Sequence, residues 1–299
     1  MVDVDAPPGQ GELLTMRAAG ICGSDFGYIA GGSRFLLGHE LVGVREDGTA
    51  VAVEALYGCM DCDLCRDGAY NLCLRQSETA LGFSADGGMA EQFRAPSVRL
   101  VALPAGLDPA DGSLVEPATV AWHGVRLGGT GPGRTVAVVG GGAIGQLAVA
   151  GAQAQGADAV AFDARYERQR EIGEQSGVGP PEGMYDIVIE AAGSPSALAR
   201  AIELVAPGGS VVVLGVHVPD FSPDFLSIFL KEARIVPSIG YCRHTGGRDM
   251  TDAAAMLAER PDLVDALVTH RFPLEDAVEA FRVAQDRESG AVKVVIELG

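Results

Sequence analysis

Positive charge is scarce in this sequence. Lysine and arginine number 22 against 40 aspartates and glutamates, a formal net charge of −18. Such a surface repels phosphate backbones and anionic lipid, which argues against nucleic-acid and membrane partners. It does not exclude a dinucleotide, which is held by backbone N–H groups and a helix N-terminus rather than by bulk charge. Long apolar runs are missing too. The longest uncharged stretch, residues 135–157, is interrupted by Gly140, Gly141, Gly142 and Gly145 and reads as strand, turn and helix rather than a membrane span. Residues 1–20 carry Asp3, Asp5 and Glu12 and lack the basic-then-apolar pattern of a secretory leader, so a cytoplasmic chain with reduced cysteines is expected. Repeats and low-complexity tails are also lacking.

What is present is an ordinary globular mixture, 47% hydrophobic and 21% charged over 299 residues. That length suggests two domains and a core that needs no disulfides. Residues 1–117 are rich in glycine, turn residues and short β-like runs such as 49–54 and 97–103. Residues 118–238 alternate apolar runs at 135–139, 159–163, 186–191 and 210–215 with alanine-rich helical stretches, the pattern of a parallel α/β sheet. Residues 239–299 hold two predicted helices, at 250–259 and 274–287, and a final strand at 292–297.

The run 136–139 leads into Gly140-Gly-Gly142-Ala143-Ile144-Gly145 and a helical stretch. In a G-x-G-x-x-G turn the first glycine makes the tight turn, the second admits a pyrophosphate, and the third lets helix pack on strand. The motif is weak alone. Asp163, at the end of the next strand, strengthens it as the acceptor for ribose hydroxyls and favours NAD over NADP. Arg165 and Arg168 temper that preference, because a nearby arginine accommodates a 2′-phosphate.

Cys59, Cys62, Cys65 and Cys73 are four of the six cysteines. Their C-x2-C-x2-C-x7-C spacing suits a closed tetrahedral structural zinc site. An iron–sulfur cluster or four inert thiols are the competing readings. A second set is dispersed: Cys22 in Gly20-Ile-Cys22-Gly-Ser24-Asp25, then His39 and Glu40, then Glu116 before Pro117. Singly each residue has a bland explanation. Together they supply a thiolate, an imidazole and carboxylates, the ligand types of an open catalytic zinc.

These stretches, with Gly87-Gly-Met-Ala-Glu91, Tyr241-Cys242, Val268-Thr-His-Arg-Phe-Pro-Leu-Glu275 and Lys293, resemble the zinc-dependent medium-chain alcohol dehydrogenases, and among them the polyol (sorbitol-like) branch. The resemblance runs from about residue 9 to 297. It implies an α/β chain with a GroES-like β-rich catalytic domain at 1–117 and 239–299, and a Rossmann doubly wound parallel sheet at 118–238. It further implies two zinc ions per chain, NAD as cofactor, a small alcohol or carbonyl substrate, and a homodimer or homotetramer. Cys22 and His39 would be zinc ligands, with Glu116 or Glu40 completing the shell. Ser24 would take the substrate hydroxyl proton. Arg168 and Lys293 would serve the cofactor, Lys293 near the pyrophosphate.

The chain departs from that family in places. Gly27 stands where a relay histidine is usual, with Tyr28 or water as the substitute. Gly240 stands where polyol enzymes have an arginine, and Arg243 and His244 are either its replacements or solvated loop residues. Phe26 and Phe83 are candidate pocket residues, with core packing as the alternative. The region 171–185 is too short for the family's third strand and helix, so a trimmed sheet edge is expected. The rival functions are a dehydrogenase of a cyclitol, amino-sugar or other secondary-metabolite alcohol, and a catalytically silent zinc- and NAD-binding structural or sensor protein.

Overall fold

In the first strand the side chains of Leu14 and Met16 point inward while Leu13, Thr15 and Arg17 face out, as a half-buried strand requires; after a register shift beyond Met16, Ala19 joins the same core. The computed structural model describes residues 6–216 and 222–299. Met1, Asp3 and Asp5 of the leader argument lie outside them.

In chain order the strands are β1 (Glu12–Gly20), β2 (Glu40–Val44), β3 (Ala50–Val53), β4 (Gln92–Ala95) and β5 (Leu100–Ala102), then β6 (Thr135–Val139), β7 (Ala159–Asp163), β8 (Tyr185–Glu190), β9 (Val205–Val213) and β10 (Arg234–Pro237), and finally β11 (Arg243–His244), β12 (Gly247–Arg248), β13 (Val268–Pro273) and β14 (Lys293–Glu297). The chain divides into one unit of Met1–Pro117 with Tyr241–Gly299 and a second of Ala118–Gly240. The return point falls two residues beyond the expected 238/239. The Ser238 N–H still bonds the Val213 carbonyl and so belongs to the second sheet.

The first unit is built on a seven-stranded sheet in the order β13-β14-β1-β2-β3-β5, with β4 also paired to β1. Its core joins Leu14, Met16, Leu41, Val53, Phe93 and Ile296 to Ala280 and Val283 of a helix at Ala277–Gln285. Register matters more than composition here. β1 pairs antiparallel with β2 so that Gly20 faces Glu40, and with β14 so that Gly20 faces Val295. The residues just after β1 and just before β2 therefore emerge at one end of the sheet. Strand β13, parallel to β14, was not among the predicted elements.

The second unit is a parallel five-stranded sheet, β10-β9-β8-β6-β7. Val136 to Val139 in β6 are continuously buried, as both covered faces demand. No strand lies between the helix Glu167–Gln175 and β8 among the described residues, so β7 is an edge. The Phe162 N–H of that edge is satisfied by the Gly179 carbonyl at 2.8 Å, a partial cover for an otherwise open strand. β10 forms the opposite edge and was likewise not predicted.

Candidate functional site

The register of β1 and β2 assembles the first site. Cys22 follows β1 and caps the helix Gly23–Ala30, and His39 directly precedes β2. Their ligand atoms and a Glu40 oxygen lie within 4.8 Å of one another. Asp25 does two jobs: its Oδ2 accepts the Cys22 N–H at 2.9 Å, and its Oδ1 stands 3.3 Å from His39 Nδ1, an ion-pair distance just off hydrogen-bond alignment. A carboxylate behind an imidazole fixes the ring so that the other nitrogen faces the metal position. Ser24 Oγ lies 3.3 Å from that other nitrogen, Nε2. Burial pulls the His39 pKa down, but Asp25 and the Cys22 sulfur outweigh it and the net shift is upward. A zinc ion arriving here would displace that proton.

Glu40 is buried, and Lys293 Nζ reaches both its oxygens at 2.7 Å. The pair forms because Lys293 begins β14 and Glu40 begins β2, the strands that flank the Gly20 end of β1. Gly20 between them carries no Cβ; one placed there would land on the Glu40 carboxylate. Lys293 also donates to the Ile21 carbonyl at 3.2 Å. Lys293, expected near a pyrophosphate, has its ammonium buried and paired with Glu40.

Glu116 sits in the first turn of the helix Val115–Leu127 and is not within the compact group of Cys22, His39 and Glu40. Burial, reinforced by the Glu40 charge, pushes its carboxyl up to about 7, against the pull of His39, Lys293 and a hydrogen bond from Tyr241. The Tyr241 hydroxyl accepts the Ala55 and Leu56 N–H groups at 2.7 and 3.2 Å. Both its lone pairs are thus occupied, so its proton is left for Glu116. Tyr241 is fully buried.

The cysteine lobe is a single-ion site by its spacing. Sulfur–sulfur distances are 3.5 Å for Cys62–Cys65, 3.8 Å for Cys62–Cys73 and 4.0 Å for Cys59–Cys65. A tetrahedron with 2.3 Å zinc–sulfur bonds has edges of about 3.8 Å. These are far from disulfide length. Main-chain N–H groups of Asp61 and Cys62 draw the Cys59 thiol down to about 6, and burial pushes Cys65 up to about 12. Met60, at φ 58°, adopts the left-handed turn that aims those N–H groups. The donor set fits zinc, which holds coordinated thiols as thiolates.

In the second unit each motif glycine has a distinct reason. Gly140 sits at φ 120°, a Cβ on Gly145 would strike the Gly140 carbonyl, and a Cβ on Gly142 would meet only open space. That opening faces the start of a helix, Ala143–Ala154, whose first N–H groups have no intrahelical partners. The cradle fits a dinucleotide phosphate. Asp163 ends β7 opposite Val139, and Arg168 is exposed on the following helix.

The Alcohol dehydrogenase GroES-like domain matches residues 9–105, and the Glucose dehydrogenase C-terminus matches residues 112–298. The chain belongs to the zinc-dependent medium-chain alcohol dehydrogenases, on their polyol-dehydrogenase-like side. It is 30% identical to a sorbitol dehydrogenase of Macaca fascicularis, over 92% of this chain and 86% of that one. It is 29% identical to an L-galactonate-5-dehydrogenase of Escherichia coli K12, over 94% and 91%. A zinc-binding dehydrogenase from Sinorhizobium meliloti 1021, solved with NADP bound, superposes with a TM-score of 0.84 at 28% identity, over 97% of this chain and 93% of that one. As a family member the chain is a zinc oxidoreductase that acts on hydroxyl groups.

Other expected positions resolve individually. Phe26 packs edge-on against Phe281 in the core, whereas Phe83 is half exposed and stacks 5.1 Å from Tyr28. Tyr28 lies 6.2 Å from the His39 ring, and the face of Gly27 is open. His244 pairs with Asp252 at 3.0 Å, and the exposed Arg243 gives its N–H to the Gly68 carbonyl. Asp25 and Gly20 carry roles that sequence reasoning did not assign. The Cys22-x-x-Asp25 spacing of a helix cap was the available signal for Asp25.

Proposed function

We propose that this chain moves hydride between a secondary hydroxyl of a polyol- or sugar-type substrate and a nicotinamide cofactor, NAD before NADP, in the cytoplasm. The observation that carries the reading is the β1–β2 register, which brings Cys22, His39 and Glu40 to one point with Ser24 alongside. Cys22 and His39 would hold a zinc ion, with Glu40 or Glu116 completing the shell, and the cysteine lobe would hold a second. A zinc ion held by these residues would supply a Lewis acid for the substrate oxygen, and a bound nicotinamide would supply the hydride acceptor.

The residues themselves do the rest. Asp25 orients the His39 ring. Ser24 receives the hydroxyl proton and passes it toward solvent past the open face of Gly27, where water replaces a relay side chain. Glu116, steered by Tyr241, offers a carboxylate that exchanges a proton near neutrality. Gly240 in the place of the polyol arginine favours a second substrate class, cyclitols and amino-sugar alcohols. The test is NAD- and NADP-linked turnover over polyols, sugar acids, cyclitols and simple secondary alcohols. Polyhydroxylated substrates should outperform simple alcohols, and the reverse ranking refutes the substrate assignment.

The chain is further proposed to form a homodimer. Phe225, Leu226, Phe229 and Leu230, in the helix before the edge strand β10, expose their apolar side chains, and a second copy would cover both. Light scattering of the wild type and Phe229→Asp decides it: a dimer dissociated by the substitution is expected, and a monomeric wild type refutes it.

A further inference from the structure

Asp163 is not a free carboxylate. Arg200, from the helix Pro195–Leu204 that follows β8, donates its Nε to Asp163 Oδ2 at 3.0 Å and its Nη1 to Glu203 at 3.2 Å. Both Arg200 and Asp163 are only partly covered by protein, with side-chain exposures of 40% and 36%. The pair therefore stands where a ligand can reach it. Asp163 lies at the C-terminal end of the edge strand β7, beside the glycine turn, and the Gly140 N–H bonds its main-chain carbonyl at 2.9 Å.

An acid in this position discriminates between cofactors by two effects. It accepts hydrogen bonds from the ribose hydroxyls, and its negative charge repels a 2′-phosphate. The first effect needs one oxygen, and Arg200 occupies only Oδ2. The second needs uncompensated charge, and a guanidinium at 3.0 Å, shared with Glu203, offsets part of it. Arg200 also keeps Nη2 outside these two bonds, and a planar guanidinium suits phosphate oxygens. Arg165 and Arg168, both exposed shortly after Asp163 in sequence, add positive potential.

The geometry points to Arg200 as the residue that sets cofactor choice: by holding Asp163 Oδ2 and offering Nη2 beside it, Arg200 admits the 2′-phosphate of NADP(H) alongside NAD(H). This rests on the dehydrogenase reading only in taking a nicotinamide dinucleotide as the ligand. It departs from a simple NAD preference through a residue that lies 37 positions from Asp163.

The test is equilibrium binding of NADH and NADPH to the zinc-loaded full chain, read by nucleotide fluorescence without turnover. The wild type should bind both, with dissociation constants within about tenfold of one another. Arg200→Gln should weaken NADPH roughly tenfold, the loss of one charge-assisted but partly screened interaction, with NADH changed less than about threefold. Arg200→Lys, which keeps the charge, should fall between. Asp163→Asn should weaken NADH and leave NADPH as tight or tighter. Wild type that binds NADH but not NADPH overturns the proposal, as does an Arg200→Gln chain in which both nucleotides weaken equally. Binding of neither nucleotide by the wild type overturns the dinucleotide reading itself, and this inference with it.

Discussion

Replacing Lys293 with methionine separates two roles for one residue. Methionine keeps most of the volume and removes the ammonium that both Glu40 oxygens hold at 2.7 Å. Glu40 is 1% exposed and Lys293 7%, so solvent cannot take over the lost partner. Breaking one side of a buried pair costs about 3–5 kcal/mol, mostly because a charge is left stranded. Zinc at the neighbouring ligands offsets part of that charge, so the zinc-loaded chain belongs at the low end, about 3 kcal/mol, and chelator-treated protein at the high end. For a unit of this size that is a fall in Tm of roughly 10 °C. The double substitution Glu40→Gln with Lys293→Met removes the stranded charge and should recover more than half of the loss. Urea and thermal unfolding followed by circular dichroism, with NADH titration of the same samples, read both roles. A loss below about 1 kcal/mol together with a tenfold weaker NADH affinity would show that Lys293 serves the cofactor after all and would refute the ion-pair account.

Three further outcomes are expected. Cys65→Ser should lose one zinc per chain and make the region around residues 59–73 protease-sensitive, because binding energy at such a site is folding energy; retention of two zincs contradicts this. Glu116→Gln should reduce the pH dependence of stability in a Cys22→Ala background. A carboxyl raised from about 4.5 to about 7 binds more protons folded than unfolded, so its contribution falls as pH rises across that window, by about 3 kcal/mol in total. Urea midpoints at pH 5 and 8 that differ equally with and without Glu116 would refute it. Gly27→Ala should stabilise by about 0.5–1 kcal/mol, since a helical Cβ there meets open space, and Gly27→His should raise turnover if proton release is limiting; a Gly27→Ala chain that is destabilised shows the face to be occupied.

The glycine turn and the cysteine lobe were legible because each is local: the spacing in sequence nearly sets the spacing in space. Sulfur distances of 3.5–4.0 Å come from cysteines within fifteen residues. The first site was legible only as a set of residue types. Its assembly depends on strand register, which no single stretch contains. Lys293 illustrates the limit. Its position in the family pattern suggested a cofactor contact, yet β1 places it across Gly20 from Glu40, and the buried carboxylate claims it. Arg200 was invisible for the same reason, since nothing in its helix signals that it reaches Asp163. β10 and β13 were missed because Arg234, Pro237, Thr269 and Pro273 dilute their apolar pattern, and their pairing with β9 and β14 decides the conformation instead. The trimmed sheet edge, by contrast, followed from counting: residues 171–185 are too few for the family's third strand and helix.

The measurement that tests the central claim most directly is metal content joined to NAD(P)-linked alcohol oxidation in the wild type and Cys22→Ala. Two zincs per chain in the wild type, with one zinc and all turnover lost in the variant, is the expected result. One zinc in the wild type, or a Cys22→Ala chain that keeps its turnover, would contradict a catalytic zinc at Cys22 and His39.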